Sequence, residues 1–262
     1  MKKKFSNNTG VTLIEILIGI VISVLMMAAV FTSYSAVNNT YSQVIDKAKI
    51  SETGRDIVGM LIRDVRIAGF KYFDDVTKAP TDYNPILITK NSTGCDKLQL
   101  MYGDRKYTPG STPAYTFATY KITYECKPSK IVDRKTGNRI LSNAIYKSKS
   151  KWDGVKWVQA SSSIDEILYT NELVVDHVQD LIFNPIDEKG KLIDPVPTNT
   201  AGSNKIRVID IAFSIRSQGE FFRNNKQTTL YSLGKKKNTS FTDKFLRETI
   251  VVSAHTRNMG LE

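Results

Sequence analysis

The feature that most constrains this chain is an apolar run, Val11–Phe31, charged only at Glu15 and preceded by Lys2, Lys3 and Lys4. At ~1.5 Å per residue, a helix over this run reaches about 30 Å, enough for the hydrocarbon core of a bilayer. The three lysines predict that the N-terminus faces the cytoplasm. The polar interruptions Thr12 and Ser23 are placed to bond back to helix carbonyls, and Gly19 with Ala28-Ala29 permits close helix contact. An ordinary signal peptide is the competing reading of a basic start and an apolar run. Against it, the run exceeds a typical h-region, and Val30, Phe31 and Tyr34 continue the apolar pattern where a small-residue cleavage motif would fall. A carboxylate near the start of a membrane helix is costly unless paired, which points to a function for Glu15. The N-terminal helix dipole eases that charge without removing its cost.

No proline occurs between Phe31 and Asp75, and the apolar spacing stays helical. Val37, Tyr41, Val44, Ile45, Ala48, Ile57, Met60, Leu61, Val65 and Ala68 form an amphipathic stripe with some drift. One long helix is therefore expected from Thr12 to about Phe70, its second half packed on later strands. Gly54 and Gly59 lower its propensity and would permit bending. Gly69 is its expected stop, with Arg63 and Arg66 favourably near the C-terminal end. Beyond it, Leu98–Tyr102, Tyr115–Glu125 and Ile140–Tyr146 read as strands. Tyr107–Pro113 reads as a loop, and Asp153-Gly154 as a hairpin turn with aromatic flanks. The two tryptophans, Trp152 and Trp157, are better explained by sheet packing than by a sugar or peptide surface. Glu172–Phe183 is ambiguous between helix and strand, and Asn184–Asn204 reads as a surface loop suited to partner recognition. Ile209, Ile211, Phe213 and Ile215 alternate with Asp210, Ala212, Ser214 and Arg216, the clearest half-buried strand. Thr249–Arg257 is the last expected strand. The fold class is α+β: a long N-terminal transmembrane and amphipathic helix packed against a largely antiparallel β-sheet head.

Thr9-Gly10-Val11-Thr12-Leu13-Ile14-Glu15, running directly into Ile16-Leu17-Ile18-Gly19-Ile20, resembles the processing region of type IV prepilins. Leu61–Phe70, Glu172–Phe183 and the ending Thr256-Arg257-Asn258 resemble segments of the PilW-like minor pilins. The resemblance implies a pilin-like fold and cleavage after Gly10 by a membrane aspartic peptidase, the prepilin peptidase. It implies N-methylation of the new first residue, Val11, where phenylalanine is commoner. It also gives Glu15 an assembly role, neutralising the N-terminal amine of a neighbouring subunit. An unpaired ammonium and an unpaired carboxylate are both expensive among apolar stems, so pairing them would fix the stagger between subunits. Residues 1–10 are then a cytoplasmic leader and 11–37 a transmembrane and filament-core helix. Residues 38–262 are the helix continuation and a periplasmic or extracellular head. The implied partners are other minor and major pilins, the inner-membrane pilus assembly platform and membrane lipid. The implied location is a single pass of the inner membrane, with incorporation into, or at the tip of, a surface pilus. The expected function is a minor pilin that supports or primes type IV pilus assembly. The alternatives are a minor pseudopilin of a type II secretion system and a DNA-binding or adhesive minor pilin.

The formal charge is +11, and losing the three leader lysines leaves +8 on the side chains. Such an excess favours anionic partners without selecting among them. Lys235, Lys236 and Lys237 are the tight basic cluster of the second half. They read first as a solvated turn and second as a nucleic-acid contact, since no stacking aromatics interleave them. Cys95 and Cys126 lie 31 positions apart. In a domain outside the cytoplasm a single disulfide is their natural pairing, worth about 3–4 kcal/mol by loop entropy, with two buried thiols as the alternative. No histidine lies near either, so a metal site is not expected. Enzyme chemistry is disfavoured and no cofactor is expected. His177 and His255 lack metal-like spacing, Ser161-Ser162-Ser163 reads as a polar turn, and Asp74-Asp75 are adjacent rather than spaced on one helix face.

Overall fold

A computed structural model describes residues 10–71, 80, 83–92, 94–107, 109–110, 112, 114–132, 137, 139, 142–159, 167–233 and 238–259. The chain divides into two compact units, Met1–Asp46 and Lys47–Glu262. Helix α1 (Leu13–Ile67) begins in the first and ends in the second. Lys2–Lys4, Asp74-Asp75, Ser161–Ser163 and Lys235–Lys237 lie outside the described residues.

In the first unit the helix exposes apolar side chains all round, among them Leu13, Ile14, Ile18, Ile22, Met26 and Phe31. This segment is long and apolar enough to cross a membrane. Its hydroxyls are satisfied from within. Ser23 donates to the Gly19 carbonyl at 2.7 Å, and Thr32, Ser33 and Thr40 each donate to the carbonyl four residues back at 2.9 Å. That local pairing is what a lipid environment requires of a polar side chain.

The second unit, the head, packs the end of α1 on an antiparallel sheet. The strands are β1 (Ile86–Thr89), β2 (Lys97–Tyr107), β3 (Tyr115–Pro128), β4 (Asn143–Trp152), β5 (Trp157–Val158), β6 (Tyr169–Ile186), β7 (Val208–Arg216), β8 (Lys226–Leu230), β9 (Thr239–Asp243) and β10 (Arg247–His255). The main sheet runs β1-β2-β3-β4-β6-β7-β10, with β5 on β4, while β8 and β9 form a separate hairpin. A four-residue helix, α2 (Thr200–Ser203), lies between β6 and β7. Ile50, Gly54, Ile57, Leu61, Asp64 and Val65 form the buried stripe of α1, at helical three-four spacing. Beneath it lie Leu98, Leu100, Ile122, Tyr124, Ile145, Leu181, Phe183, Ile209, Ile211 and Phe213. This is a pilin-like fold.

Several sequence expectations change. Gly54 is a packing site, because a Cβ there would stand 2.1 Å from Ile250 Cδ1 of β10. Glu172–Phe183 is strand, within β6. The expected loop from Asn184 instead starts as strand through Ile186 and later holds α2. Strand β7 is buried on both faces: Ala212, Ser214 and Arg216 are covered as well as the isoleucines. Ser214 exchanges a 2.8 Å hydrogen bond with Thr249, and the Arg216 guanidinium lies 4.3 Å from the Phe245 ring centroid. The Cys95–Cys126 disulfide is present, with its Cα atoms 5.8 Å apart, inside the usual range.

Gly69 ends α1 with φ of +80°, and an added Cβ would meet Met259 Sδ at 2.7 Å and the Asn258 carbonyl oxygen at 3.0 Å. Gly69→Ala is therefore expected to cost about 2 kcal/mol, read as a fall in the urea midpoint of tryptophan fluorescence. Gly59 has open space around it, so Gly59→Ala should raise the midpoint slightly through helix propensity. Equal effects from the two substitutions would discount the Gly69 clasp.

Candidate functional site

The start of α1 is closed by a reciprocal cap. Thr12 donates its backbone N–H and its hydroxyl to Glu15 Oε2, each at 2.9 Å, and the Glu15 N–H donates back to Thr12 Oγ1 at 3.4 Å. This is a capping box, Thr-x-x-Glu, with Thr12 as N-cap. Thr12 thus caps the helix rather than bonding back to a carbonyl. All the capping bonds to the carboxylate fall on Oε2, and among the described residues Oε1 accepts none. Gly10 and Val11 precede the helix and are exposed. One exposed carboxylate therefore stands a turn inside an apolar, exposed stem, held by its own backbone and open on one oxygen.

A second constellation ties α1 to the sheet. Asp64 is 4% exposed, and its Oδ2 accepts from Lys147 Nζ at 2.6 Å and from the Tyr124 hydroxyl at 2.5 Å. Lys147, on β4, is itself 9% exposed, with its ammonium 5.3 Å from the Tyr124 ring centroid. Burial, then the Asp64 charge, pushes the Tyr124 hydroxyl pKa well up, and burial also raises that of Tyr169 nearby. Both phenols therefore stay neutral, Tyr124 donating to Asp64 and Tyr169 accepting from Lys147. The sequence signal for Asp64 is a lone carboxylate inside the apolar stripe Leu61, Val65, Ala68. The flanking Arg63 and Arg66, the more conspicuous charges of this segment, are exposed.

The C-terminal segment grips the same helix. Asn258 Nδ2 donates to the Arg66 carbonyl at 3.0 Å and to that of Ile67 at 3.4 Å. Arg207 donates to the Met259 carbonyl at 2.9 Å, and Thr256 Oγ1 to that of Ile206 at 3.0 Å. The Asn258 bonds satisfy carbonyls that a helix end leaves open, so Thr256-Arg257-Asn258 acts as a latch.

Past Val178, β6 outruns β4, and Asp96 closes its free edge. The Asp96 N–H donates to the Leu181 carbonyl at 2.7 Å, and Asp96 Oδ2 accepts from the Phe183 N–H at 3.0 Å and from Lys90 Nζ at 2.9 Å. Beside them lies a cavity of about 670 Å³, walled by Pro185, Leu192, Ile193 and Val196. Lys90 uses its three ammonium protons on Asp96, the Phe183 carbonyl and Asn184, so it has no proton left to donate to a ligand there. His177 sits buried in β6, its pKa lowered by burial, and His255 ends β10. Among the described residues no group of three or more His, Cys, Asp or Glu is arranged to hold a metal ion.

No family model matches the chain, and no curated protein does. A solved structure to which it is similar is that of the type IV-like pilin TTHA1219 from Thermus thermophilus. The two are 11% identical with a TM-score of 0.49, over 80% of this chain and 96% of that one.

Proposed function

We propose that this chain is a minor pilin of the PilW-like kind, which supports or primes assembly of a type IV pilus. The observation that carries the reading is the stem: an exposed apolar helix whose only early charge, Glu15, is pinned through one oxygen and, among the described residues, unpartnered on the other. After cleavage behind Gly10, the new amine of Val11 would lie among apolar stems. Oε1 of a neighbour's Glu15 is a partner that would neutralise it. Pre-capping by Thr12 holds the carboxylate in place before assembly, so little side-chain freedom is lost on pairing. The head then selects neighbouring pilins.

Replacing Gly10 with a bulky residue is expected to leave an uncleaved precursor on a gel. Glu15→Ala should be cleaved normally yet be depleted in purified filaments. Normal incorporation of Glu15→Ala would rule out the role given to this carboxylate. Deleting the gene is expected to remove surface pili, whereas loss of exoprotein secretion with intact pili would make the chain a pseudopilin instead.

A further inference from the structure

Three side chains at the free edge of β6 form a cluster that the stem and its assembly do not use. Lys90, just past β1, reaches in from the surface. Its ammonium meets Asp96 Oδ2 at 2.9 Å, the Phe183 carbonyl at 2.6 Å and Asn184 Oδ1 at 2.8 Å. Asp96 is 1% exposed and Asn184 7%. The Asp96 carboxylate is held on both oxygens: Oδ1 accepts from the Asn91 N–H at 3.0 Å and Oδ2 from that of Phe183 at 3.0 Å. Its own N–H donates to the Leu181 carbonyl at 2.7 Å. Asn184 is fixed by its place in β6, where it opposes Asp210 of β7. An amine, a carboxamide and a carboxylate are thereby held together, with the last two out of bulk water.

These groups are the two reactants and the proton carrier of an amide exchange. An ammonium can only donate, so the Asn184 atom it meets is the carbonyl oxygen, and that contact draws electron density from Cγ. The 2.8 Å bond to Oδ1 leaves Nζ roughly 3–4 Å from Cγ. A near-attack arrangement needs about 3–3.5 Å. A lysine amine becomes a nucleophile once an adjacent base takes its proton, and Asp96 stands where that base is needed. Asn184 has no easier way to lose its amide nitrogen. Pro185 follows it, so there is no backbone N–H on which the side chain could close a ring. All three residues border the cavity of about 670 Å³, which gives a small leaving group its exit.

We propose that Lys90 and Asn184 become joined by an isopeptide bond, with Asp96 as the proton relay. Asp96 takes a proton from the Lys90 ammonium, and the freed Nζ lone pair attacks Asn184 Cγ. The Nζ–Cγ bond forms and the Cγ–Nδ2 bond breaks. Of the three ammonium protons, one stays on the new amide and two leave with Nδ2 as an ammonium ion, both carried through Asp96, which ends as the carboxylate it began as. The exchange is redox-neutral and needs no co-reactant. It staples the segment between β1 and β2 to β6, beside the Cys95–Cys126 disulfide, and it is independent of the pilus reading. The test is the mass of the full chain, purified in detergent, reduced and denatured. That mass should be lower by one ammonia than the sequence requires, and proteolysis should release a branched peptide joining the Lys90 and Asn184 segments. Lys90→Arg and Asp96→Ala should each restore the full mass. Asn184→Asp should lose one water in place of ammonia, a signature that a merely structural asparagine would not give. Because the unmutated chain carries the main readout, misfolding of a variant cannot rescue the proposal. A full mass for that chain overturns it. So does a lowered mass without the branched peptide, a lowered mass that persists in Lys90→Arg, or complete linkage in Asp96→Ala.

Discussion

Asp64→Ala is expected to lower the unfolding free energy of the head by about 3–5 kcal/mol, measured by urea denaturation of the full chain in detergent. The size follows from what remains rather than from what is removed. Lys147 would keep its charge at a site only 9% exposed, with its 2.6 Å partner gone, and Tyr124 would lose its 2.5 Å acceptor. Two further variants separate these contributions. Lys147→Met on the Asp64→Ala background should recover part of the loss, because it removes the stranded ammonium. Tyr124→Phe alone should cost less, about 1.5–3 kcal/mol, the net worth of a hydrogen bond to a charged group. The cycle over Asp64 and Lys147 should show coupling well above additive error. A loss under about 1 kcal/mol for Asp64→Ala would mean that the Lys147 ammonium reaches water when released, and that the apolar stripe and the Asn258 latch suffice to hold α1.

The parts of this architecture visible in the sequence are those specified by short-range pattern. The stem shows because twenty-one consecutive residues carry one charge. Strand β7 shows because its inner residues alternate strictly. Its outer residues are also buried, which alternation cannot report, because the cover comes from Phe245 and from Thr249 on the next strand. Strand β6 resists for a physical reason. Its start, Thr170–Leu173, is exposed, and a register shift between Val178 and Asp180, with His177 at φ of +61°, breaks the period of two. The Thr12–Glu15 capping box is written plainly as Thr-x-x-Glu. An apolar run on its C-terminal side makes the same glutamate stand out as a lone membrane charge, which hides its local bond to Thr12. The Asp64–Lys147 pair and the Asn258 latch join residues far apart in sequence, the latch over 192 positions. No local pattern encodes them. The resemblance of Thr256-Arg257-Asn258 to a family segment marks the place without giving its work, which is to cap α1.

Replacing Cys95 and Cys126 together with serine is expected to cost about 3–4 kcal/mol if the entropy of the closed loop dominates. The bond has a local task as well. Cys95 is buried and immediately precedes Asp96, whose backbone and carboxylate close the edge of β6 through Leu181 and Phe183. Cys126 lies on β3, where it opposes Ile145 of β4. The disulfide therefore fixes the strand lead-in that carries Asp96 against the core side of β3. If this positioning matters, Asp96→Asn should destabilise the oxidised chain by more than it destabilises the double-serine chain, because there the bonds to β6 are already partly broken. If only loop entropy matters, the two costs should add. Urea midpoints of the four chains decide between these outcomes. A double-serine chain within about 1 kcal/mol of the oxidised one would mean that the Lys90–Asp96 network alone holds the edge of β6.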